Sequence, residues 1–380
     1  MNATPRSTRG AGDRDGIALV MAILAIILIG ALVAGAFFFS NEDFRIGRNS
    51  LVALRAFAAA EYGLGRATAE WNRAGDLSLD VGEDTVVSYL TGDGGVVTVT
   101  ATRLNAFTVL LIARGQHRVG TPLEIARTTS LVLRMAYPVV RAGGALTLRG
   151  GGSVRAETIV SGANADPFGW NCASFPGRDT AAVAHGVGSP LTIDPAANVA
   201  GLPRANADTT AGDDATYVTY GDETWQSLSR NADVIAAADA SPTPSSNGER
   251  CTRSSTNWGE PHRDAASVVA CQSYFPIVYA PSSLRLSGGR GQGILLVDGD
   301  LEIDGPIEWD GVIIVRDDVN DTGSAMIHGA LLARNADPAD GGSLFAGRSS
   351  FHYSACAIES ALRGSARMVP AGQRAWAEIW

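Results

Sequence analysis

Apolar residues fill positions 17–39 without a break: IALVMAILAIILIGALVAGAFFF, 23 residues with no charge. A helix of that length rises about 35 Å at roughly 1.5 Å per residue, enough to cross a hydrocarbon layer of about 30 Å. After Phe39 the pattern changes but stays helical. No proline occurs between Ile17 and Arg73, and Phe57, Leu64 and Trp71 recur every seven residues with Leu54 and Ala58 beside them. This narrow apolar stripe has helical period. Glu42, Asp43, Arg45 and Arg48 mark the exit from the apolar run. Together the two patterns predict one helix over 17–73, inserted in a membrane by its first half.

From 77 the period drops to two. VVTVTATRL, AFTVLLIARG and EIARTTSLVLRMAYP alternate apolar and polar positions, and TGDGG at 91–95 is a turn signal. The region 77–141 therefore reads as an antiparallel β meander, ended near Pro138. From Gly293 a new order appears, with three units of 18 residues: GILLVDGDLEIDGPIEWD (293–310), GVIIVRDDVNDTGSAMIH (311–328) and GALLARNADPADGGSLFA (329–346). Residues 275–292 fit the frame loosely. Each unit opens with Gly and then apolar residues in a row, as expected of parallel strands buried on both faces. Such a repeat predicts a short β-solenoid with 18-residue rungs. It would span 142–356, with LTLRGGGSVRAETIVSG as an early rung and 163–274 as a loop-rich insertion holding a short helix near ETWQSLSRNADVIAAA. The remainder, 357–380, reads as a helical tail that caps the open end, since bare strand edges invite pairing. The fold class expected is α+β, mainly β.

Composition changes this picture in two places. The net charge is −9, every basic residue is arginine, and no basic patch is interleaved with aromatics, which argues against a nucleic-acid partner. Four cysteines, Cys172, Cys251, Cys271 and Cys356, contain no close pair of the kind zinc sites use. Outside the cytoplasm they read as two disulfides. Three connectivities exist; Cys251 with Cys271 closes the shortest loop, which leaves Cys172 with Cys356.

Arg6, Arg9 and Arg14 precede the apolar run, against Asp13 and Asp15. Basic flanks stay on the cytoplasmic side, so the large C-terminal part is expected outside the inner membrane. A cleaved secretory signal would have an apolar core of only about 7–15 residues; an uncleaved signal anchor is the plain alternative. The junction DRDG|IALVMAILAIILIG, a charged leader ending in glycine before a pure apolar helix, resembles the prepilin leader of type IV pilins and type II secretion pseudopilins. With AFAAAEYGL at 56–64, residues 13–73 resemble most the PilX-type minor pilin N-terminus. The resemblance implies a leader of residues 1–16 cut between Gly16 and Ile17 by a prepilin peptidase, with other pilins and the inner-membrane assembly machinery as partners. It also implies a glutamate at the fifth mature position. Met21 stands there instead, a departure found among minor, tip-located members.

Chemistry-bearing residues are sparse. GGRGQG at 288–293 lacks the Lys-Ser/Thr ending of a phosphate loop. Asp317, Asp318, Asn320 and Asp321 form an oxygen-rich candidate for calcium, against the plainer reading of a solvated turn. Asp298, Asp300, Asp304 and Asp310 fall at different rung positions, the five histidines are scattered, and Trp170, Trp225 and Trp258 read as packing anchors. No catalytic residue, cofactor or firm metal site is expected. Two functions remain. The first is a non-enzymatic minor pilin-like subunit of a type IV pilus or secretion filament, its head used for adhesion or priming. The alternative is a signal-anchored β-solenoid enzyme or binding module acting on envelope polysaccharide.

Overall fold

The computed structural model describes residues 15–74, 79–105, 107–335, 342–372 and 375–379, with side chains in the first helix from 18 to 71. The leader expected at 1–16 lies almost wholly outside them. The chain divides into two compact units: residues up to Thr68 with 79–132 and the C-terminal end, and a larger unit of 133–369 with the end of the first helix.

In the first unit, helix α1 (Asp15–Ala74) runs without interruption. Its first part, 18–51, is exposed almost throughout, including Ile27, Phe37 and Phe39. From Val52 one face is buried: Val52, Ala56, Ala59, Ala60, Leu64 and Ala67. The buried stripe is thus rotated from the one the large residues suggest. Leu54 is exposed, and Phe57 and Trp71 are only half-buried. The reason is close approach to the meander β1 (Asp84–Leu90), β2 (Val96–Asn105), β3 (Thr108–His117) and β4 (Ile125–Ala136). A Cβ added at Gly115 of β3 would lie 2.1 Å from the carbonyl oxygen of Ala56, and one at Gly63 would lie 2.4 Å from Val97. Small residues are needed where backbones come this near. On β2 and β3, Val97, Val99, Ala101, Val109, Leu111 and Ala113 alternate with partly exposed positions and supply the core. The strand Trp376–Ile379 pairs antiparallel with β4, Trp376 packs edge-on against Phe57, and its indole donates to the Glu61 carboxylate.

The segment that reads as a helical tail is therefore helical only over Ala355–Gly364; Arg367–Pro370 and Trp376–Ile379 are strands. Ala, Glu and Arg favour helix weakly, and pairing along β4 overrides that preference.

The larger unit is built from parallel strands. Ile277–Ala280, Gly289–Val297, Ile307–Val315 and Met326–Ala333 lie side by side, with Gly293 opposite Gly311 and Gly311 opposite Gly329. A second parallel sheet stacks Leu284–Leu286, Leu301–Ile303, Val319–Asp321 and Ser343–Phe345. The offset is not constant: Ile277 faces Ile294, and Met326 faces Ser350. At each of Gly293, Gly311 and Gly329 the strand turns through positive φ (110°, 141° and 136°). A Cβ at Gly329 would sit 1.8 Å from the Gly311 carbonyl oxygen, so both conformation and space demand glycine. Beyond the glycine, side chains alternate between two cores. Leu295, Val297, Ile313 and Val315 join an inner core, while Ile294, Leu296, Val312 and Ile314 pack under Tyr217, Tyr220, Trp225 and the helix Ala355–Gly364.

The stretch 163–274 is more ordered than its sequence suggests. Ala181–Gly186, Leu191–Ile193, Asn198–Ala200 and Ala205–Asp208 all join the parallel sheets. Short, alanine-rich strands carry little β signal. The order in space differs from the order in sequence. Gly144–Leu148 pairs on one side with Ala181–Gly186 and on the other with Met326–Ala333. The chain thus begins in the middle of the stack, runs to one end, and resumes at the other with Val234–Ile235 beside Ile277–Ala280.

Candidate functional site

On the strand Ile307–Val315, Ile307 and Trp309 face the inner core, which turns Glu308 and Asp310 to the other side. Parallel register extends this polar row: Glu308 lies opposite Met326, Gln292 opposite Asp310, Asp310 opposite His328, and His328 opposite His352. His328 Nδ1 and Asp310 Oδ1 are 3.0 Å apart, and the His328 and His352 rings stack with centroids 5.5 Å apart. Two segments rise beside the row and, with Glu308, Asp310, Met326 and His328, enclose a cavity of about 180 Å3: one carries Phe168, the other Pro261, His262, Arg263 and Asp264.

Each of these segments is held by a disulfide. Cys251–Cys271 ties down the second and Cys172–Cys356 the first, the pairing that loop length favours. Inside the second segment, Trp258 packs edge-on against Trp309, and the fully buried Glu260 accepts from Arg290 at 2.9 Å and from the backbone N–H groups of His262 and Val268. Arg263 lies 4.5 Å over the Trp170 ring. Its guanidinium donates to the Glu260, His262 and Gln272 carbonyls and to Gln292 Oε1. The Trp170 indole donates to the Pro261 carbonyl at 2.8 Å. His262 hydrogen-bonds Glu308 across the cavity. Phe168 is 85% exposed at the rim.

Burial sets the electrostatics. It raises the Asp310 pKa above the ordinary aspartate value, against the opposing pull of His328 and Arg263. Burial, and then the neighbouring His328, lowers that of His352.

The residues singled out in the sequence are distributed elsewhere. Gly16 and Ile17 lie within α1, and Met21 is exposed on it. Asn320 is exposed, whereas Asp321 is buried and accepts from Ser349 Oγ at 2.8 Å; Asp318 accepts from Ser343. Alternation along the strand sends Asn320 and Asp321 to opposite faces, so the calcium candidates do not converge. Among the described residues, the ligating atoms close enough to share a metal ion belong to Asp166, Cys172 and Cys356, and these cysteines are already bonded to each other. Residues 289–293 of GGRGQG lie in a strand, with Arg290 paired to Glu260. Trp225 and Trp258 are buried anchors, as read.

Sequence reasoning missed the cavity, although part of it was available. Gln292, Asp310 and His328 each close a unit of the 18-residue frame, so alignment of the units already places them in one column. His262 and Phe168 carried no such signal. Comparison with protein-family models, with curated proteins and with solved structures found no match.

Proposed function

We propose that this chain is a minor pilin-like structural subunit of a type IV pilus or related secretion filament, held in the inner membrane by α1 and assembled through it, with its body outside the cytoplasm. The observation that carries the reading is the division of one unbroken helix. Residues 18–51 expose an apolar surface, including Leu24, Ile27 and Phe38, that no other described residue covers, while the face from Val52 to Ala67 is buried. Lipid, or the helices of neighbouring subunits, would cover the bare half. Two disulfides fit an oxidising compartment. Met21, where a paired glutamate would otherwise stand, favours a minor subunit. In the same reading the parallel strands wind as a β-solenoid with rungs near 18 residues, in line with the register of Gly293, Gly311 and Gly329, and form a head for adhesion or priming.

Intact mass with and without a prepilin peptidase tests the proposal. The processed chain should begin at Ile17, and Gly16→Ala should block both processing and incorporation into filaments. A chain that stays uncut beside an active peptidase would overturn it.

A further inference from the structure

The cavity beside Glu308 and Asp310 is a constructed one: four side chains of two adjacent parallel strands form its floor, and two segments, each locked by its own disulfide, form its walls. Its chemistry narrows what can enter. An anion would need a free cation, but both Nη nitrogens of Arg263 are committed to three carbonyls and Gln292. A cation would find Glu308 bonded to His262 and Asp310 to His328, which leaves Asp264, accepting from the Ala266 N–H, as the lining carboxylate outside an ion pair; a lone carboxylate holds a cation only weakly. A metal ion would need converging ligand atoms, and these groups do not converge. An apolar ligand would strand the carboxylates and imidazoles without water. What fits is a neutral molecule rich in hydroxyls, which can both donate to carboxylate oxygens and accept from imidazole N–H groups. At about 180 Å3 the cavity is on the scale of one sugar ring rather than a chain. Phe168, a bare aromatic ring at the rim, offers a platform for the C–H face of such a ring.

We propose that this cleft binds one ring of a neutral saccharide, with Glu308 and Asp310 accepting hydrogen bonds from its hydroxyls, His262 and His328 completing the polar contacts, and Phe168 stacking against its apolar face. This goes beyond the anchoring reading and stands whether or not α1 enters a filament.

The test is isothermal titration of the full-length chain, reconstituted in nanodiscs so that no sugar-headed detergent competes, with maltotetraose, cellotetraose and chitotetraose. Saturable binding of at least one is expected. Phe168→Ala, at a position exposed enough to leave folding intact, and Glu308→Gln should each weaken it by about tenfold or more, equivalent to about 1.4 kcal/mol. Thermal unfolding of both variants, close to the parent's, separates lost contacts from lost structure. No binding of any of the three at millimolar concentration overturns the proposal. So does binding that both variants leave unchanged, or tighter binding of glucuronate or spermidine than of the neutral sugars.

Discussion

In β2 and β3 of the antiparallel sheet every second residue is buried, whereas in the parallel strand 293–297 burial runs residue after residue. The first pattern belongs to a sheet with one covered face, the second to strands covered on both. The two regions also manage close backbone approach differently. The meander admits a helix at single points, Gly63 and Gly115, while the parallel body repeats glycine in a column, each one roofing the last at Gly293, Gly311 and Gly329. Disulfides occur only in the parallel body, where long irregular segments must be fixed. An antiparallel sheet gets its register from short turns; a parallel one has no such local device and relies on shape and crosslinks.

Substitutions that exploit this contrast should rank clearly. The largest effect is expected for Gly329→Ala, which puts a Cβ against the Gly311 carbonyl at positive φ. We expect a loss on the order of 4–5 kcal/mol, at the exceptional end for one residue, read as failure of the body to fold while residues 84–132 keep their hydrogen-exchange protection. Gly115→Ala should damage the other region instead, by about 3 kcal/mol, near the upper range for overpacking. Its signature is loss of exchange protection across β2 and β3, with both disulfides still formed. The pair Cys172→Ser and Cys356→Ser should cost about 2–4 kcal/mol. Denaturant titration should show that cost in the parallel body only, and sugar binding should weaken because the Phe168 wall is released.

A smaller effect depends on pH. Asp321 is buried with one oxygen lacking a hydrogen-bond partner, and burial raises its pKa above the ordinary 3.8. The folded chain then binds the proton more tightly than the unfolded chain. Stability contributed by this group is full below the unfolded value and falls as pH rises through the raised folded value. Asp321→Asn should therefore gain in Tm relative to the parent as pH goes from acid to neutral; a constant difference across that range would contradict the assignment. The smallest effect belongs to the meander's exposed edge, where Val86→Thr on β1 should stay within about 0.5 kcal/mol in either direction.

The same contrast governs what could be read from the chain. Alternation made β2 to β4 legible, and the uncharged run made α1 legible, because both patterns are local. Large residues such as Leu54 and Phe57 suggest a different face of α1 from the one it buries, because its packing depends on Ala56, Ala60 and Gly63. Strands such as Ala181–Gly186 were invisible because their stability comes from partners on both sides rather than from their own residues. The disulfides followed from loop length alone. Half of the cleft, the column through Asp310 and His328, was written into the repeat. The other half, on the segments bearing Phe168 and His262, depends on crosslinks whose effect on side-chain placement has no sequence signature.

The order of strands in the parallel body sets a timetable for a chain made from its N-terminus. Leu146 pairs with Leu331, 185 positions later, and Cys172 with Cys356, 184 positions later. At ~5–20 residues per second, the early strands wait roughly ten to forty seconds with an open edge and an unpaired thiol. Both partners, Leu331 and Cys356, then arrive almost together, some twenty-five positions apart. Sealing the edge and oxidising the thiol become nearly a single late event. A nascent chain stalled before 331 would present an unprotected β-edge and a reactive cysteine to its surroundings at the same moment.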